Sequence, residues 1–256
     1  MTTTSTAIPA SHGALAEALG VEKLVLRPAA ERFHSQRDWL ESWHSFSFSN
    51  HVDPAWMGFG PLRVINDDTI AAGEGFGMHP HRDMEIITVM VEGELHHRDS
   101  MGHAEVLRAG EVQRMSAGTG VVHSESNDGD RPCRLLQIWV EPSSLGIPPA
   151  YEQKPFPLQT GWTPLLDPER RDGAMAIHRH VQLWRARLQP GEALPLPALR
   201  GEVWLQMIEG GLQAPWTLER GDGLGWLAAA ASAEIGATPS LTAAAAGADL
   251  LLFALD

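Results

Sequence analysis

One block of sequence occurs twice. Glu85-Ile-Ile-Thr-Val-Met-Val-Glu92-Gly93 is matched by Glu202-Val-Trp-Leu-Gln-Met-Ile-Glu209-Gly210, 117 residues further on (85 to 202). Gly73-Glu74 precedes the first copy and Gly191-Glu192 the second, and Ala109-Gly110-Glu111 is answered by Arg220-Gly221-Asp222. The first block is β-branched and almost wholly apolar, as in a strand buried on both faces, and each block ends in a glycine turn. A chain of 256 residues built this way reads as two copies of one β-domain.

Between the copies the texture is that of short strands and turns. The pattern predicts strands at Lys23–Arg27, Trp43–Phe48, Pro61–Asn66, Glu85–Val91, Glu94–Asp99, His103–Arg108, Glu111–Met115, Val121–Asn127 and Arg134–Val140. Asn66-Asp67-Asp68 reads as a turn. Strands of this length with hairpin connections predict a double-sheet antiparallel barrel. Residues 141–175, rich in Pro and Gly, read as the crossing to the second copy. There the pattern predicts strands at Val181–Leu188, Val203–Ile208, Gly223–Leu227 and Leu250–Leu255. Gly236, Pro239 and Gly247 turn the Ala-rich stretch 228–246 into short strands rather than helix.

Histidines separate the copies. Six of the twelve lie between His79 and His123. At the spacing of 117, His79 and His81 fall on Leu196 and Ala198; at the spacing of the Gly110/Gly221 match, His123 and Glu125 fall on Glu234 and Gly236. A residue needed only for folding would recur in both copies, whereas a ligand is needed in one. Strand side chains alternate, so His79 and His81 share a face, as do His123 and Glu125. Two such pairs on neighbouring strands can converge inside a barrel. Three imidazoles and a carboxylate suit Fe(II), Mn(II), Ni(II), Cu(II), Co(II) or Zn(II) and leave room for substrate. The single cysteine, Cys133, excludes an internal disulfide and a thiolate zinc site, and reads as a small buried hydrophobe. His96, His97 and His103 read as exposed hairpin residues beside the Ser100–Gly102 turn, and His178 and His180 as a coincidental second His-x-His. His44, Phe46 and Met101 fit core or site equally.

The net charge of −13 argues against a nucleic-acid partner. No apolar run approaches the roughly 20 residues of a membrane span, so no membrane partner is expected. The first residues lack the marks of a secretory signal, which predicts a cytoplasmic protein. Residues 1–20 read as a flexible tail with a short helix at Ala14–Leu19.

GMHPHRDMEIITVMVEGE, HRDSMGH and MSAGTGVVHSE resemble the pirin family of the cupin superfamily. WHSFSFSNHVDPAWMGFGPLRVINDD and QIWVEPSSLGIPPAYEQKPF resemble its bacterial branch that includes quercetin 2,3-dioxygenases. The resemblance runs from about Lys23 to the C-terminus and is strongest from Asp38 to Phe156. It implies an all-β bicupin of two jelly-roll barrels, with a metal-binding domain over 21–145 and a degenerate, metal-free cupin over 146–256. It implies Fe(II) as the usual metal, held at His79, His81, His123 and Glu125. The general cupin pattern would instead make Glu85 the carboxylate ligand. The pirin pattern selects Glu125, and Glu202 in the second copy suggests a structural Glu85. The implied activity is ring cleavage of a flavonol with O2, with Glu125 as catalytic base and no organic cofactor. The other activity in the family is iron-dependent regulation of a protein partner. A monomer is expected.

Overall fold

The computed structural model describes residues 24–227 and 239–256. The expected helix at Ala14–Leu19, the tail at 1–20, and Glu234 and Gly236 lie outside these residues. The regular structure of the described chain is almost wholly strand, with three short 3-10 turns besides. In order it runs β1 (Leu24–Arg27), β2 (Phe33–Gln36), β3 (Leu40–His44), β4 (Leu62–Ile70), β5 (Glu74–His81), β6 (Glu85–Glu92), β7 (Glu94–Asp99), β8 (Ala104–Arg108), β9 (Glu111–Ser116), β10 (Val121–Asn127) and β11 (Cys133–Val140). There follow β12 (Ala150–Pro155), β13 (Thr163–Leu166), β14 (Val181–Leu188), β15 (Ala193–Pro195), β16 (Glu202–Ala214), β17 (Leu218–Glu219), β18 (Gly223–Leu227) and β19 (Ser240–Leu255).

Two large antiparallel sheets repeat one order. The first is β12-β9-β6-β11-β4-β3-β2 and the second β1-β18-β16-β19-β14-β13, with β15 and β17 attached to it. The duplicated blocks, β6 and β16, hold the same place in each. The halves also trade edge strands: β1 pairs with β18 of the second sheet, and β12, from the crossing, pairs with β9 of the first. The two sheets pack through one apolar cluster that includes Ile87 and Ile138 from the first, Trp204, Leu251 and Phe253 from the second, and Phe46 from the segment after β3. The architecture is the expected all-β bicupin, two double-stranded β-helix barrels.

The barrel interiors differ. The second is filled by one apolar cluster containing Leu205, Trp216, Leu224, Trp226 and Leu252. The first holds two small clusters, Leu40, Ile70, Met90, Leu95, Leu107, Cys133 and Leu135 on one side and Ile86, Met115, Ala117 and Val121 on the other. Polar side chains lie buried in the same barrel. A four-stranded sheet, β5-β10-β7-β8, closes this barrel and carries the histidines.

Several local expectations are corrected. Trp43–Phe48 is not one strand: the sheet ends at His44, and Phe46 leaves it to pack on Trp204, 4.9 Å between ring centres. Asn66-Asp67-Asp68 does not turn but continues β4, because each side chain has a partner elsewhere: Asn66 on His44, Asp67 on Arg134 and Asp68 on Ser42. Tertiary hydrogen bonds here outweigh the local turn preference. The crossing contains β12 and β13, and Phe33–Gln36 is a strand the pattern did not reveal. Leu250–Leu255 is the end of a 16-residue strand. One glycine matters for the site. Gly118 has φ +47°, and a Cβ there would strike the Ile147 carbonyl. This bend aims β10 back across the barrel, while the Asp83 N–H donates to the Gly118 carbonyl at 2.9 Å and ties down the end of β5.

Candidate metal centre

β5 and β10 are antiparallel, with His79 opposite His123 and His81 opposite Val121. Cross-strand neighbours bring the three imidazoles together: one nitrogen from each of His79, His81 and His123 lies within 4.8 Å of the others. His79 and His81 are half-buried, whereas His123 is fully buried. His79 Nδ1 meets the Gly77 carbonyl at 2.7 Å, so it carries the proton and leaves Nε2 as the free donor. Neither nitrogen of His123 has a hydrogen-bond partner. A buried polar atom without a partner is costly, so two on one ring mark a missing ligand. Burial, reinforced by His79 and His97, pushes His123 down to about 3, and burial, reinforced by His123 and His79, pushes His81 down to about 4. Both imidazoles are therefore neutral at ordinary pH, the form that binds a metal.

A bulge in the pairing with β5 shifts the register between His123 and Glu125, so that Glu125 faces Phe76 there, while in the unbroken register with β7 it faces His97. Glu125 is 3% exposed. Its Oε1 accepts from Gln113 Nε2 at 2.9 Å and its Oε2 from Gln137 Nε2 at 2.8 Å. Thr88 lies between these glutamines, donating to Gln137 Oε1 at 2.8 Å and accepting from Gln113 at 3.1 Å. The three residues form one cross-strand row, Gln137 opposite Thr88 and Thr88 opposite Gln113. In the second sheet the same row is Leu252, Leu205 and Leu224, each paired to the next in the same way. The sequence reading missed this row, although a lone threonine in an otherwise apolar strand was its visible sign.

His97 is the second residue that the sequence reading missed. It is wholly buried rather than exposed, and its donor atom lies within 4.8 Å of those of His123 and Glu125. Asp99, its neighbour at i+2, accepts from His97 Nε2 at 3.1 Å and from His103 Nδ1 at 2.9 Å. Burial opposes ionisation of Asp99, yet these hydrogen bonds outweigh it and hold the carboxyl below its ordinary value. A carboxylate only accepts, so His97 Nε2 and His103 Nδ1 both carry protons. His97 Nδ1, also without a partner, is then the ring's bare acceptor. Tyr151 stacks on both rings, 4.6 Å from His97 and 4.8 Å from His103. His103 is half-buried and His96 pairs with Glu94 at 3.2 Å near the surface.

Glu85 stands apart from these groups. It is buried, and its Oε2 accepts from Ser116 Oγ at 3.0 Å. His178 and His180 are exposed and join no cluster among the described residues. Cys133 is buried, and burial pushes its thiol up to about 11. A cavity of about 210 Å³ reaches His79, His81 and Glu125 between Phe48, Phe76 and Trp139. His44 lines it, while Phe46 and Met101 do not. No helix among the described residues is long and apolar enough to cross a membrane.

The sequence model of the family Pirin matches residues 27–140, and that of the quercetinase C-terminal cupin domain matches residues 165–255. The quercetin 2,3-dioxygenase of Escherichia coli K12 is 48% identical over 189 residues, which are 73% of this chain and 82% of that protein. The crystal structure of bacterial pirin YhhW from Escherichia coli in complex with nickel(II) superposes with a TM-score of 0.81. It has 42% identity and covers 91% of this chain and 99% of that one. GK1651 of Geobacillus kaustophilus shares the fold alone, at TM-score 0.71 and 22% identity over 91% of this chain and 94% of that one. With both halves matched and a relative 48% identical over 82% of its own length, this chain belongs to the pirin family of cupins.

Proposed function

We propose that this chain is a metal-dependent dioxygenase that cleaves the central ring of a flavonol such as quercetin. The observation that carries the proposal is the buried His123, its two nitrogens unsatisfied, set against His79 and His81. We assign His79, His81, His123 and Glu125 as the ligands of one divalent ion. Fe(II) is the first choice, and Ni(II), Mn(II), Cu(II), Co(II) and Zn(II) suit the same donors. The nickel complex of the relative YhhW supports a divalent ion, and the name of the 48% identical relative supports the reaction. Residues 21–145 would form the metal-binding domain and 146–256 the metal-free one, in keeping with the leucine row of the second barrel.

When bound, the ion supplies a positive charge that lowers the pKa of a substrate hydroxyl and orients it. The rest is the work of side chains. His79 and His81, half-exposed on the cavity, let a ligand reach the centre, and Phe48, Phe76 and Trp139 offer it flat apolar walls. The cavity is smaller than the roughly 300–1,000 Å³ usual for a drug-sized ligand, so a flavonol would seat one end inside and leave the other at the mouth. Glu125 would take the proton of the 3-hydroxyl. Its amide partners donate to one lone pair on each oxygen, and a second lone pair remains free. The flavonolate would then take up both atoms of O2 into the ring-opened ester and lose one ring carbon as carbon monoxide. His97, fixed by Asp99, would accept from the second nitrogen of His123 and set that ring's orientation.

Aerobic turnover of quercetin by protein loaded separately with Fe(II) and Ni(II) tests the proposal through oxygen uptake and carbon monoxide release. Glu125→Gln is expected to lower the rate by about 10²-fold or more. Equal rates would remove Glu125 as the base, and no turnover with either metal would overturn the activity.

A further inference from the structure

The wall of the cavity formed by β2, β3 and β4 is polar. It carries Ser35, Ser42, His44, Asn66 and Asp68. The last four are almost fully buried, and their strands are in register, Ser42 opposite Asp68 and His44 opposite Asn66. Their hydrogen bonds form a directed chain. His51 Nε2 lies 3.1 Å from Ser35 Oγ, and Ser35 Oγ lies 2.8 Å from His44 Nε2. His44 Nδ1 meets Asn66 Oδ1 at 2.8 Å. Asn66 Oδ1 only accepts, so His44 Nδ1 carries the proton and Ser35 donates to His44 Nε2. Ser42 Oγ donates to Asp68 Oδ1. Two groups remain without a partner among the described residues: the Asn66 amide N–H pair and Asp68 Oδ2. They sit at i and i+2 on β4, on one face, and that face lines the cavity.

A donor and an acceptor side by side on buried residues, open to the cavity and with nothing in the described protein to satisfy them, fit a ligand carrying a hydroxyl at that spot. The aromatic walls fit a ring to bear it. We propose that Asp68 and Asn66, held by Ser42 and His44, form a subsite that reads a hydroxyl on the substrate ring other than the one at the metal. The subsite favours polyhydroxylated aromatics over those with the metal-binding hydroxyl alone. This rests on the flavonol reading above. A further observation agrees: burial, reinforced by Asp67 and Glu125, pushes the Asp68 carboxyl up to about 7 against the hydrogen bond from Ser42. Near neutral pH such a group serves a phenol as acceptor or donor.

The test uses three flavonols and the nickel-loaded full chain. 3-Hydroxyflavone carries the metal-binding hydroxyl alone, galangin adds hydroxyls on the fused ring, and quercetin adds a catechol. The wild type is expected to bind at least one of the latter two tenfold or more tighter than 3-hydroxyflavone. Asp68→Asn, which keeps shape and removes the charge, and Asn66→Ala should each cut that preference to under threefold. Both should hold nickel as tightly as the wild type in chelator competition. The added hydroxyl whose gain disappears identifies the ring edge that is read. Binding of 3-hydroxyflavone without any preference for the others overturns the subsite and leaves the flavonol reading standing. So does an equal loss for all three ligands in both variants. No binding of any flavonol to the nickel-loaded wild type overturns both.

Discussion

Asp99→Ala should destabilise the protein by an amount that the hydrogen bonds allow to be worked out. The carboxylate accepts four: His97 Nε2 at 3.1 Å, His103 Nδ1 at 2.9 Å, the Met101 N–H at 2.9 Å and the His103 N–H at 3.0 Å. The last three belong to a turn that water reaches, since the His103 side chain is 37% exposed. Water replaces those bonds in part, and their loss costs about 1 kcal/mol together. His97 is different. Its side chain is fully buried, and its N–H is left with no acceptor, at a cost of about 1–3 kcal/mol. The sum is about 2–4 kcal/mol, read as the change in urea unfolding free energy of metal-free protein. Asp99→Asn separates structure from chemistry. The amide oxygen still serves the turn, but the amide N–H pair faces the histidines and drives His97 to the other tautomer. Its Nδ1 then carries a proton toward His123 instead of accepting one. Stability should fall by about 1 kcal/mol, while nickel affinity in chelator competition drops about 10–100-fold. A loss below 0.5 kcal/mol in Asp99→Ala would refute the burial argument, on the roughly 1 kcal/mol scale of a net hydrogen bond. Wild-type nickel affinity in Asp99→Asn would refute the tautomer argument.

Other perturbations follow from the same centre. Gln113→Leu, which imitates Leu224 of the second barrel, leaves Glu125 Oε1 with only the 3.4 Å approach of Thr88. It should lower metal affinity about 10–100-fold with a stability change within about 1–3 kcal/mol, by competition and urea titration respectively. Metal-free protein should weaken as pH falls from about 6.5 toward 4. The unfolded chain takes up protons at His81 and His123 that the folded chain, with these groups at about 4 and 3, refuses. Urea midpoints at pH 8 and pH 5 measure this, and His123→Asn should remove about half of the difference, leaving the share of His81. The carboxylate of Asp99 acts in the same direction at lower pH: its stabilisation is present above about pH 4 and is lost as pH falls through its lowered value. Cys133 should resist a thiol-exchange reagent at pH 8 until the protein unfolds, because burial keeps the thiol protonated.

The parts of this molecule that recur at fixed spacing were legible in its sequence. The repeat predicted two barrels, and the i, i+2 pairs predicted one face on each of two strands. What escaped depended on partners far along the chain. Asn66-Asp67-Asp68 has the composition of a turn, and only Arg134, Ser42 and His44 make it a strand. His97 sits beside a real turn and so resembled its exposed neighbours. A signal was present nonetheless: His97 and Asp99 share strand parity with Leu95, a core residue. Edge strands β1 and β12 were placed by exchange between halves, which no local pattern encodes.

The contrast between the two barrels says what a metal centre requires of this fold. Both sheets supply the same strand order and the same cross-strand positions, so the scaffold alone does not distinguish them. Histidines on β5 would be insufficient without a carboxylate, and a buried carboxylate needs donors to replace the water it loses. In the first barrel Gln113 and Gln137 supply them, with Thr88 on the strand between holding both amides. In the second, Leu224, Leu205 and Leu252 occupy those positions at 0% exposure and contribute apolar burial instead. At roughly 1.5–3 kcal/mol for each fully buried leucine, the second barrel gains several kcal/mol of cohesion that the first forgoes. The second half is therefore suited to stiffening the pair. Its Trp204, Leu251 and Phe253 pack against Ile87 and Ile138, on the same two strands, β6 and β11, that carry Thr88 and Gln137. The second copy thus acts on the site through the backs of the strands that hold Glu125.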